Sequence, residues 1–361
     1  MRKILLLGGT GAMGKYLVDE LLQMGDEVFV TTRYPREGKE SLRYIVGDAH
    51  NLTFVKHTVL EVRPDAIVDF MVYTTAEFVD RYRFFLCSTG HYLFLSSYRV
   101  FSGSQPLVED SPRLLDVVDD DEYRRTDEYG LSKAREENLL RASGVKNWTI
   151  LRPSITYSKS RFQFGCMEAG IVCFRALQGL PGVMPEEMLR KQTTMTWAGD
   201  VAKMIARLVM NSQAMGEDFN VVTSEHRSWR EIADVYRQAI GMQVREVPLA
   251  DYLRVCAKYQ TIYDRLFDRV MDNRKVLRVT GLRQEDLVPI SVGLTRELDD
   301  VKETPDYQYG VDIGASGTLD RLCGTRTSLR GFPLRQKLVY YRSRYRLVGL
   351  LGRMVSMLKK G

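Results

Sequence analysis

The stretch Ile4-Leu5-Leu6-Leu7-Gly8-Gly9-Thr10-Gly11-Ala12-Met13-Gly14 decides the fold of this chain. A run of four apolar residues ends at a turn with glycines at positions 8, 11 and 14, and apolar residues then recur at helical spacing up to Gly25. The first glycine permits a tight turn, the second lets a pyrophosphate approach the backbone, and the third allows close packing of helix on sheet. A helix N-terminus also attracts negative charge. Strand, turn and helix together therefore predict a dinucleotide site rather than a glycine-rich loop without a ligand.

Short apolar runs alternate with helical patterns outward from that turn. We predict strands at residues 4–7, 28–30, 44–46, 66–71, 92–95 and 148–151, with helical patterns between them, including residues 78–86 and 128–141. Strands that alternate with helices form parallel crossovers, so the pattern predicts an α/β fold with a doubly wound parallel Rossmann sheet. Beyond Pro153 the alternation ends: residues 166–177, 201–210 and 229–239 have helical patterns, and residues 219–222 resemble a strand.

These patterns divide the chain into three predicted parts. Residues 1–155 are expected to form the dinucleotide-binding Rossmann domain. Residues 156–302 are expected to form a smaller C-terminal substrate domain, with some segments returning to the Rossmann sheet. Residues 303–361 are expected to form a basic, partly amphipathic helical tail.

Composition excludes several classes of protein. The chain has 361 residues, 44% of them hydrophobic and 27% charged, which excludes disordered, collagen-like and disulfide-scaffold proteins. Five cysteines without C-x-x-C spacing and four scattered histidines indicate free thiols and no metal site. The apolar run after Lys3 is too short for a signal peptide, and no apolar stretch reaches the roughly 18 residues of a transmembrane helix. We therefore predict a cytoplasmic protein.

Two segments after the second and third predicted strands bear on the choice of cofactor. A carboxylate after the second strand would hold an adenosine ribose hydroxyl, but the chain reads Thr31-Thr32-Arg33 there. Arg33 is suited to a 2′-phosphate and therefore favours NADP(H); the alternative is a solvated arginine in a basic loop. Asp48, before Ala49, either accepts a hydrogen bond from the adenine amino group or belongs to a turn.

Three polar residues further along form a candidate catalytic set. Tyr129 and Lys133 are four residues apart and therefore share one helix face, and a cation near a phenol favours the phenolate form. Ser97 ends the fifth predicted strand, from which its hydroxyl would reach the same substrate oxygen. A tyrosine and a lysine alone are usually a solvated face. Together with the glycine turn and the strand-end serine, they indicate acid–base catalysis.

These motifs resemble the extended short-chain dehydrogenases/reductases of the NAD-dependent epimerase/dehydratase family, which process nucleotide sugars. The resemblance rests on the glycine turn, on Ser97, on Tyr129 with Lys133, and on Leu151-Arg152-Pro153. It extends to about residue 300 through the segments 198–202, 228–233 and 272–275. It implies a bound NAD(P) cofactor, a nucleotide-sugar substrate held by residues 156–302, and a homodimer built from helices.

The resemblance also implies individual roles. Tyr129 would be the acid–base residue, Lys133 would hold the nicotinamide ribose, and Ser97 would orient the reacting hydroxyl. The implied cofactor-binding residues are Gly8, Thr10, Gly11, Ala12, Met13, Gly14, Thr32, Arg33, Asp48, Ala49, Met71, Val72, Tyr73, Leu95, Ser96, Tyr129, Lys133, Pro153, Ser154 and Ile155. The implied substrate-binding residues are Tyr98, Thr156, Tyr157, Gln192 and Thr193. Most relatives have two alanines where this chain has Val72-Tyr73, which is a departure in the wall of the cofactor site.

The residues after Ser97 narrow the reaction. Dehydratases and decarboxylases of the family carry an acid there, whereas this chain has Tyr98 and Arg99, so dehydration is disfavoured. We predict first an epimerase, which returns the hydride from one bound cofactor, in the synthesis of capsule, O-antigen or other glycan precursors. The alternative is an NADPH-dependent 4-keto nucleotide-sugar reductase.

A non-catalytic, RNA-binding relative of the fold is an alternative from a different class. Its candidate surface consists of aromatic and basic residues that would stack on bases, namely Tyr73, Tyr82, Phe84, Arg81 and Arg83. A solvated amphipathic helix explains the same pattern. Because an RNA-binding protein has no need of the Tyr129 and Lys133 pair, we predict no nucleic-acid partner.

The net charge of +6 belongs to the C-terminal tail. After Asp320 the chain has eleven basic residues and no acid, so residues 1–320 carry a net charge of −5. An apolar stripe at helical spacing runs through the tail, formed by Leu334, Leu338, Tyr341, Tyr345, Val348, Leu351, Val355 and Leu358. Such a basic amphipathic helix is suited to the anionic inner face of a membrane. The alternative is that the stripe docks on the protein's own core or on a second subunit.

Overall fold

A computed structural model of the chain describes residues 1–103, 106–303 and 310–346. The strands in chain order are β1 (Lys3–Leu7), β2 (Glu27–Thr32), β3 (Leu42–Val46), β4 (Ala66–Asp69), β5 (His91–Leu95), β6 (Trp148–Arg152), β7 (Ile155–Tyr157), β8 (Gln163–Phe164), β9 (Met167–Glu168), β10 (Gly182–Met184), β11 (Gln192–Thr193), β12 (Met195–Trp197), β13 (Glu217–Asn220), β14 (Arg227–Ser228) and β15 (Val244–Glu246).

The helices in chain order are α1 (Ala12–Gln23), α2 (Leu52–Val62), α3 (Thr75–Val79), α4 (Tyr82–Ser88), α5 (Leu114–Val117), α6 (Asp121–Arg125), α7 (Tyr129–Arg141), α8 (Ala169–Leu177), α9 (Glu186–Leu189), α10 (Ala198–Leu208), α11 (Trp229–Ile240), α12 (Leu249–Tyr252), α13 (Lys258–Gln260), α14 (Arg274–Thr280), α15 (Ile290–Lys302), α16 (Ile313–Cys323) and α17 (Leu334–Tyr345). Within the described residues, no helix is both long enough and apolar enough to cross a membrane.

Seven parallel strands form the central sheet, in the order β13-β6-β5-β4-β1-β2-β3. The chain leaves β1 first toward β2 and β3, and later returns to the other side of β1 with β4. At this switch point Leu7 is paired with Asp69, and a ligand crevice forms outside the carboxyl ends of such strands. The predicted doubly wound Rossmann sheet is confirmed, and β13 adds a seventh strand at its edge.

Successive side chains of β1 pack on opposite faces of the sheet. Ile4 and Leu6 join a core that includes α1 and α10, whereas Leu5 and Leu7 join a core that includes α2 and α4. All four side chains are fully buried. A strand covered by helices on both faces requires an apolar residue at every position, which explains the unbroken apolar run in the sequence.

Two helices differ from the sequence-based expectation. The single helix predicted over residues 78–86 is split into α3 and α4. The Arg81 side chain lies at the break and donates to the carbonyl oxygens of Glu77 and His50. The helix predicted over residues 166–177 begins only at Ala169, because β8 and β9 first form a short antiparallel pair.

Contacts divide the chain into two compact units. Unit 1 contains residues 1–156, 194–226 and 268–290, and it holds the seven-stranded sheet. Unit 2 contains residues 157–193, 227–267 and 291–361, and it holds the parallel pair of β10 and β15. The functional division at residues 155 and 302 remains a prediction.

The C-terminal helix α17 belongs to unit 2 and packs on α16. Tyr340, which is not part of the predicted stripe, is fully buried and donates its hydroxyl to Asp320 at 2.8 Å. A Cβ on Gly317 would lie 2.6 Å from the Tyr340 carbonyl oxygen, so glycine permits the close approach of the two helices. The later stripe residues, Val348, Leu351, Val355 and Leu358, lie outside the described residues.

Candidate active site

The glycine turn lies at the switch point of the sheet. Gly8 has a φ of 71°, a left-handed conformation that favours glycine, and its N–H donates to Thr31 Oγ1 at 2.9 Å. A Cβ on Gly14 would lie 2.3 Å from the Gly9 carbonyl oxygen, so α1 packs against the turn only with glycine there. A Cβ on Gly11 would find its nearest described neighbour at 3.9 Å, which leaves room for a ligand beside this residue.

A cavity of about 370 Å³ opens beside the turn, at the carboxyl ends of β1 to β4. Its lining residues are Gly8, Thr10, Gly11, Thr31, Thr32, Arg33, Gly47, Asp48, Ala49, His50 and Met71. The first turn of α1 carries no acidic side chain, which suits a negatively charged group at the helix N-terminus. The size and chemistry of the cavity fit the adenosine and phosphate part of a dinucleotide.

Most of this lining was predicted from the sequence. The predicted residues that line the cavity are Gly8, Thr10, Gly11, Thr32, Arg33, Asp48, Ala49 and Met71. Ala12, Met13 and Gly14 lie instead in the first turn of α1. The lining residues that sequence reasoning missed are Thr31, Gly47 and His50. Thr31 and Gly47 are each next to a predicted residue at a strand end. Their position in the sequence could therefore have identified them as lining residues.

Arg33 and Asp48 have different surroundings in the cavity wall. The Arg33 side chain is exposed, and among the described residues no hydrogen bond or ion pair engages it, so its charge is available to a phosphate. Asp48 Oδ1 accepts a hydrogen bond from the His50 N–H at 3.0 Å. This contact corresponds to the turn alternative for Asp48.

A buried acid accounts for the position of Tyr73. Asp69, at the end of β4, accepts hydrogen bonds from the Met71 N–H at 2.9 Å, the Tyr92 hydroxyl at 2.8 Å and the Tyr73 hydroxyl at 3.4 Å. Burial raises the pKa of Asp69, although these hydrogen bonds act in the opposite direction. Tyr73 is therefore buried in the core of unit 1 and does not line the cavity, whereas Val72 is exposed.

Lys133 is buried beside a second acid. Its ammonium donates to Glu136 Oε2 at 2.9 Å and lies 4.5 Å from the centroid of the Phe94 ring. The Lys133 side chain is only 1% exposed. Burial raises the pKa of Glu136 to about 7, although Lys133 lowers it. Glu136 Oε1 is also buried and has no hydrogen-bond partner in the described part of the chain. Glu136 thus holds the ammonium that the family resemblance assigns to the nicotinamide ribose.

Tyr129 begins α7 with a second cation beside it. The Arg99 guanidinium lies 5.2 Å from the centroid of the Tyr129 ring. Arg99 also pairs with Glu128, whose side chain accepts the Gly130 N–H at 2.9 Å and caps the helix. Sequence reasoning did not assign Arg99 to the site. Its position two residues after Ser97 could have indicated that it lies near the candidate catalytic residues.

The two serines at the end of β5 have different partners. Ser97 is 5% exposed, and its Oγ accepts the Arg99 N–H at 3.2 Å, which caps a 3-10 turn that packs on α7. Ser96 donates to Glu137 Oε1 at 2.7 Å. Arg152 holds Glu137 by two hydrogen bonds of 2.8 Å each. Although burial opposes ionisation, this pair lowers the pKa of Glu137 to about 2. Ser96 therefore connects β5 to α7.

The other residues predicted to face the cofactor lie in the interior of unit 1. The Pro153 carbonyl oxygen accepts the Tyr98 N–H at 3.1 Å. Ser154 Oγ and Thr196 Oγ1 are hydrogen-bonded at 2.9 Å. Leu95 and Ile155 are buried.

The predicted substrate residues belong to both units. In unit 1, Tyr98 is buried with the Arg269 guanidinium 5.4 Å from its ring centroid, and Thr156 donates its hydroxyl to the Ser154 carbonyl oxygen at 3.2 Å. In unit 2 the predicted substrate residues are Tyr157, Gln192 and Thr193. Residues 192 and 193 form β11, which pairs with β14.

The aromatic surface of the RNA-binding alternative is not exposed. Tyr73 and Tyr82 are buried, and Phe84 is half-buried. Arg81 is buried too and donates to backbone carbonyl oxygens. Tyr73, Tyr82 and Arg81 therefore belong to the interior of unit 1 and are not accessible to bases, whereas Arg83 is exposed.

The structure combines a Rossmann sheet that carries this glycine turn with a helix that begins at the tyrosine of a Tyr-x-x-x-Lys pair. This combination defines an extended short-chain dehydrogenase/reductase. The sequence profile of the NAD dependent epimerase/dehydratase family matches residues 4–221, and the chain belongs to this family. None of the curated proteins matches the chain in sequence.

Solved structures show the same fold. UDP-glucose 4-epimerase of Thermus thermophilus in complex with NAD is 21% identical, with a TM-score of 0.62 over 83% of this chain and 99% of that chain. The Bordetella bronchiseptica enzyme WbmG in complex with NAD and UDP is 18% identical, with a TM-score of 0.61 over 85% and 97%. The dTDP-glucose 4,6-dehydratase of Bacillus anthracis in complex with NAD is 14% identical, with a TM-score of 0.64 over 86% and 100%. At these identities the likeness is one of fold.

Proposed function

We propose that the chain is a nucleotide-sugar epimerase that works through a bound nicotinamide cofactor. The proposal rests on one arrangement, the dinucleotide cavity after β1 together with Tyr129 at the start of α7. A cation follows Ser97 where dehydratases of the family carry an acid. Arg99 lies against the Tyr129 ring and forms an ion pair with the Glu128 carboxylate. Position 99 therefore carries no acid, and the Glu128 carboxylate is already paired, so neither residue offers a free carboxyl for the elimination of water.

In the proposed reaction, Tyr129 takes the proton of a sugar hydroxyl and returns it after the carbon has been inverted. Ser97 orients that hydroxyl. Arg99 places positive charge beside the ring on which negative charge develops. A bound nicotinamide would supply the hydride chemistry of this reaction, which is removal of a hydride from the sugar carbon and its return to the opposite face.

An NADPH-dependent 4-keto nucleotide-sugar reductase is the second candidate. The observation that favours it is Arg33, whose exposed guanidinium lines the adenosine cavity and suits a 2′-phosphate. A reductase would consume its cofactor, whereas an epimerase would retain one molecule through many turnovers. The identity and stoichiometry of the cofactor therefore separate the two candidates.

The test is a pair of measurements on the purified protein. Mass spectrometry identifies the nucleotide released on denaturation, and chromatography follows a panel of UDP- and dTDP-hexoses with catalytic NAD, and of their 4-keto forms with NADPH. Epimer formation without net cofactor consumption supports the proposal. Oxidation of one NADPH per sugar supports the reductase. Inactivity in both assays contradicts both candidates.

The assembly and the pathway remain proposals that rest on the family resemblance. We propose a homodimer, which light scattering on a size-exclusion column tests. We also propose that the product serves the synthesis of capsule, O-antigen or other glycan precursors in the cytoplasm.

A further inference from the structure

Helix α17 carries the first four residues of the apolar stripe predicted from the sequence, and two of them are exposed. On its inward face, Val339 and Tyr340 pack with Ile313 in a core cluster of unit 2, and Tyr341 packs against the edge of the same cluster. Leu334 and Tyr345, at the two ends of the helix, are 65% and 55% exposed. They are eleven residues apart, which is about three turns, so they lie on one side of the helix.

We use the name outer stripe for Leu334, Leu338, Tyr341 and Tyr345, which share this side at helical spacing. Leu338 and Tyr341 are half-buried, between the two exposed ends. At 3.6 residues per turn, Arg335 and Arg342 fall along one edge of the outer stripe, and Lys337 and Arg344 fall along the other. Exposed apolar side chains with cations on both sides are suited to the headgroup region of an anionic membrane.

The charge around the outer stripe has a single sign. Residues 321–346 contain eight basic side chains and no acid. Asp320, the last acid, is buried and pairs with Arg175. Among the described residues, no ion pair neutralises Arg335 or Arg342. A depression of about 300 Å³ beside the outer stripe is lined by Arg326, Thr327, Ser328, Leu329 and Tyr341. The exposed Arg326 and Ser328 offer a cation and a hydroxyl group there to a phosphate.

We propose that the outer stripe docks on an anionic lipid surface, with Leu334 and Tyr345 among the headgroups and the flanking cations on lipid phosphates. Nucleic acid would attract the same charges but gives no reason for an exposed leucine. A second copy of this chain would bring the same positive charge to the interface and be repelled. The proposal does not depend on the proposed reaction.

The test is co-sedimentation of the full-length protein with vesicles. One set contains phosphatidylcholine with roughly one third phosphatidylglycerol, and the other contains phosphatidylcholine alone. The stripe variant is Leu334→Glu with Tyr345→Glu. The matched control is Leu60→Glu with Val292→Glu, which places the same charges at apolar residues of similar exposure elsewhere, 63% and 59%. Thermal melting of all three proteins shows whether each is folded.

We expect the wild type and the control to sediment with the anionic vesicles only, and less so at high salt. The stripe variant should lose roughly ten-fold or more of its partitioning while melting like the wild type. If the stripe variant does not fold, Arg335→Gln with Arg342→Gln replaces it, with the same expectation.

Three results would overturn the proposal. The first is a wild type that stays in the supernatant with anionic vesicles, including the case in which it binds RNA instead. The second is a folded stripe variant that sediments like the control. The third is a wild-type dimer that ignores vesicles and that the stripe variant converts to a monomer, because the outer stripe would then lie between two copies of the chain.

Discussion

Tyr129 has one cation beside its ring and another one turn further along α7, and the two are held differently. Arg99 lies against the ring and pairs with Glu128, whereas Lys133 is buried on Glu136. At the scale of the single residue, Tyr129 is thus the candidate for proton transfer. Glu136, with a pKa of about 7, is the group whose ionisation changes the net charge beside Lys133.

Tyr129→Phe removes the transferable proton and keeps the ring. We expect the turnover of the sugar nucleotide to fall about 10²–10⁴-fold, with cofactor binding unchanged. Epimer interconversion measures the first quantity, and quenching of protein fluorescence by NADH measures the second. Tyr44→Phe, at a half-buried tyrosine of β3, is the control and should keep the wild-type rate. Full activity of Tyr129→Phe on every nucleotide sugar would refute the catalytic role.

Glu136 makes the stability of the protein depend on pH. Its pKa of about 7 lies above the ordinary 4.5, so its contribution to stability is fully present below about pH 4.5 and is lost as the pH rises through about 7. Glu136→Gln cannot ionise. We therefore expect the unfolding free energy of the variant, relative to wild type, to increase by up to about 3 kcal/mol between about pH 5 and pH 8.

Urea unfolding at a series of pH values measures this difference. Glu122→Gln, at an exposed glutamate, is the control substitution. The interpretation of Glu136 is wrong if the Glu136→Gln difference changes no more with pH than that of the control.

At the scale of the element, the β1 turn and α1 contain two glycines with different tasks. Gly14 allows α1 to pack closely against the turn, because a Cβ at this position would lie 2.3 Å from the Gly9 carbonyl oxygen. Gly11 has open space beside it. We expect Gly14→Ala to lower the unfolding free energy by about 1–3 kcal/mol. Gly11→Ala should leave stability unchanged within about 0.5 kcal/mol and weaken binding of the dinucleotide.

Urea unfolding and NADH titration of both variants separate these effects, and each variant is the other's control. Equal losses of stability would contradict the assignment of Gly14 to packing. Unchanged affinity in Gly11→Ala would contradict a pyrophosphate beside that turn.

At the scale of the whole molecule, unit 2 joins distant segments through a buried charge network. Asp320 accepts hydrogen bonds from Arg175 Nη1 at 2.9 Å, Thr327 Oγ1 at 2.6 Å and the Tyr340 hydroxyl at 2.8 Å. Although burial opposes ionisation, these hydrogen bonds lower the pKa of Asp320. Its stabilising contribution is therefore present above the ordinary pKa of 3.8 and is lost as the pH falls below it.

Asp320→Asn leaves the Arg175 charge buried without its partner. We expect it to lower the unfolding free energy of unit 2 by about 3–5 kcal/mol, measured by urea unfolding near neutral pH. Asp299→Asn removes an exposed carboxylate 3.7 Å from the Lys302 ammonium and should cost less than about 1 kcal/mol. Similar costs for the two variants would show that the network does not hold α16 and α17 to the rest of unit 2.

Much of the fold was predictable because its signals are local. The six strands predicted in the first half are present. Strands such as β1, which helices cover on both faces, were recognisable as unbroken apolar runs in the sequence. The glycine turn was recognisable because backbone conformation and close packing demand glycine at specific positions. Of the candidate site, the strand-end residues around the cavity were predictable, because parallel strands place their carboxyl ends at one edge.

Partners across the fold were not predictable in the same way. Lys133 and Glu136 lie within one helix turn, so their proximity is visible in the sequence. The burial that raises the Glu136 pKa is set by the packing of other elements around them. Asp69 and Tyr92 meet only because β4 and β5 are neighbours in the sheet. The place of β13 beside β6 likewise depends on strand pairing between segments far apart in the chain.

The sequence by itself determined the class of fold, the glycine turn after β1, the order of the candidate catalytic residues, and the basic, striped character of the tail, because each is written in the spacing of neighbouring residues. Only the tertiary structure decided that Arg99 lies on Tyr129, that Tyr73 is buried on Asp69, and that α17 turns Tyr340 inward and leaves Leu334 exposed. These outcomes depend on which distant groups share a desolvated interior, since burial and pairing there set the energy of every polar contact.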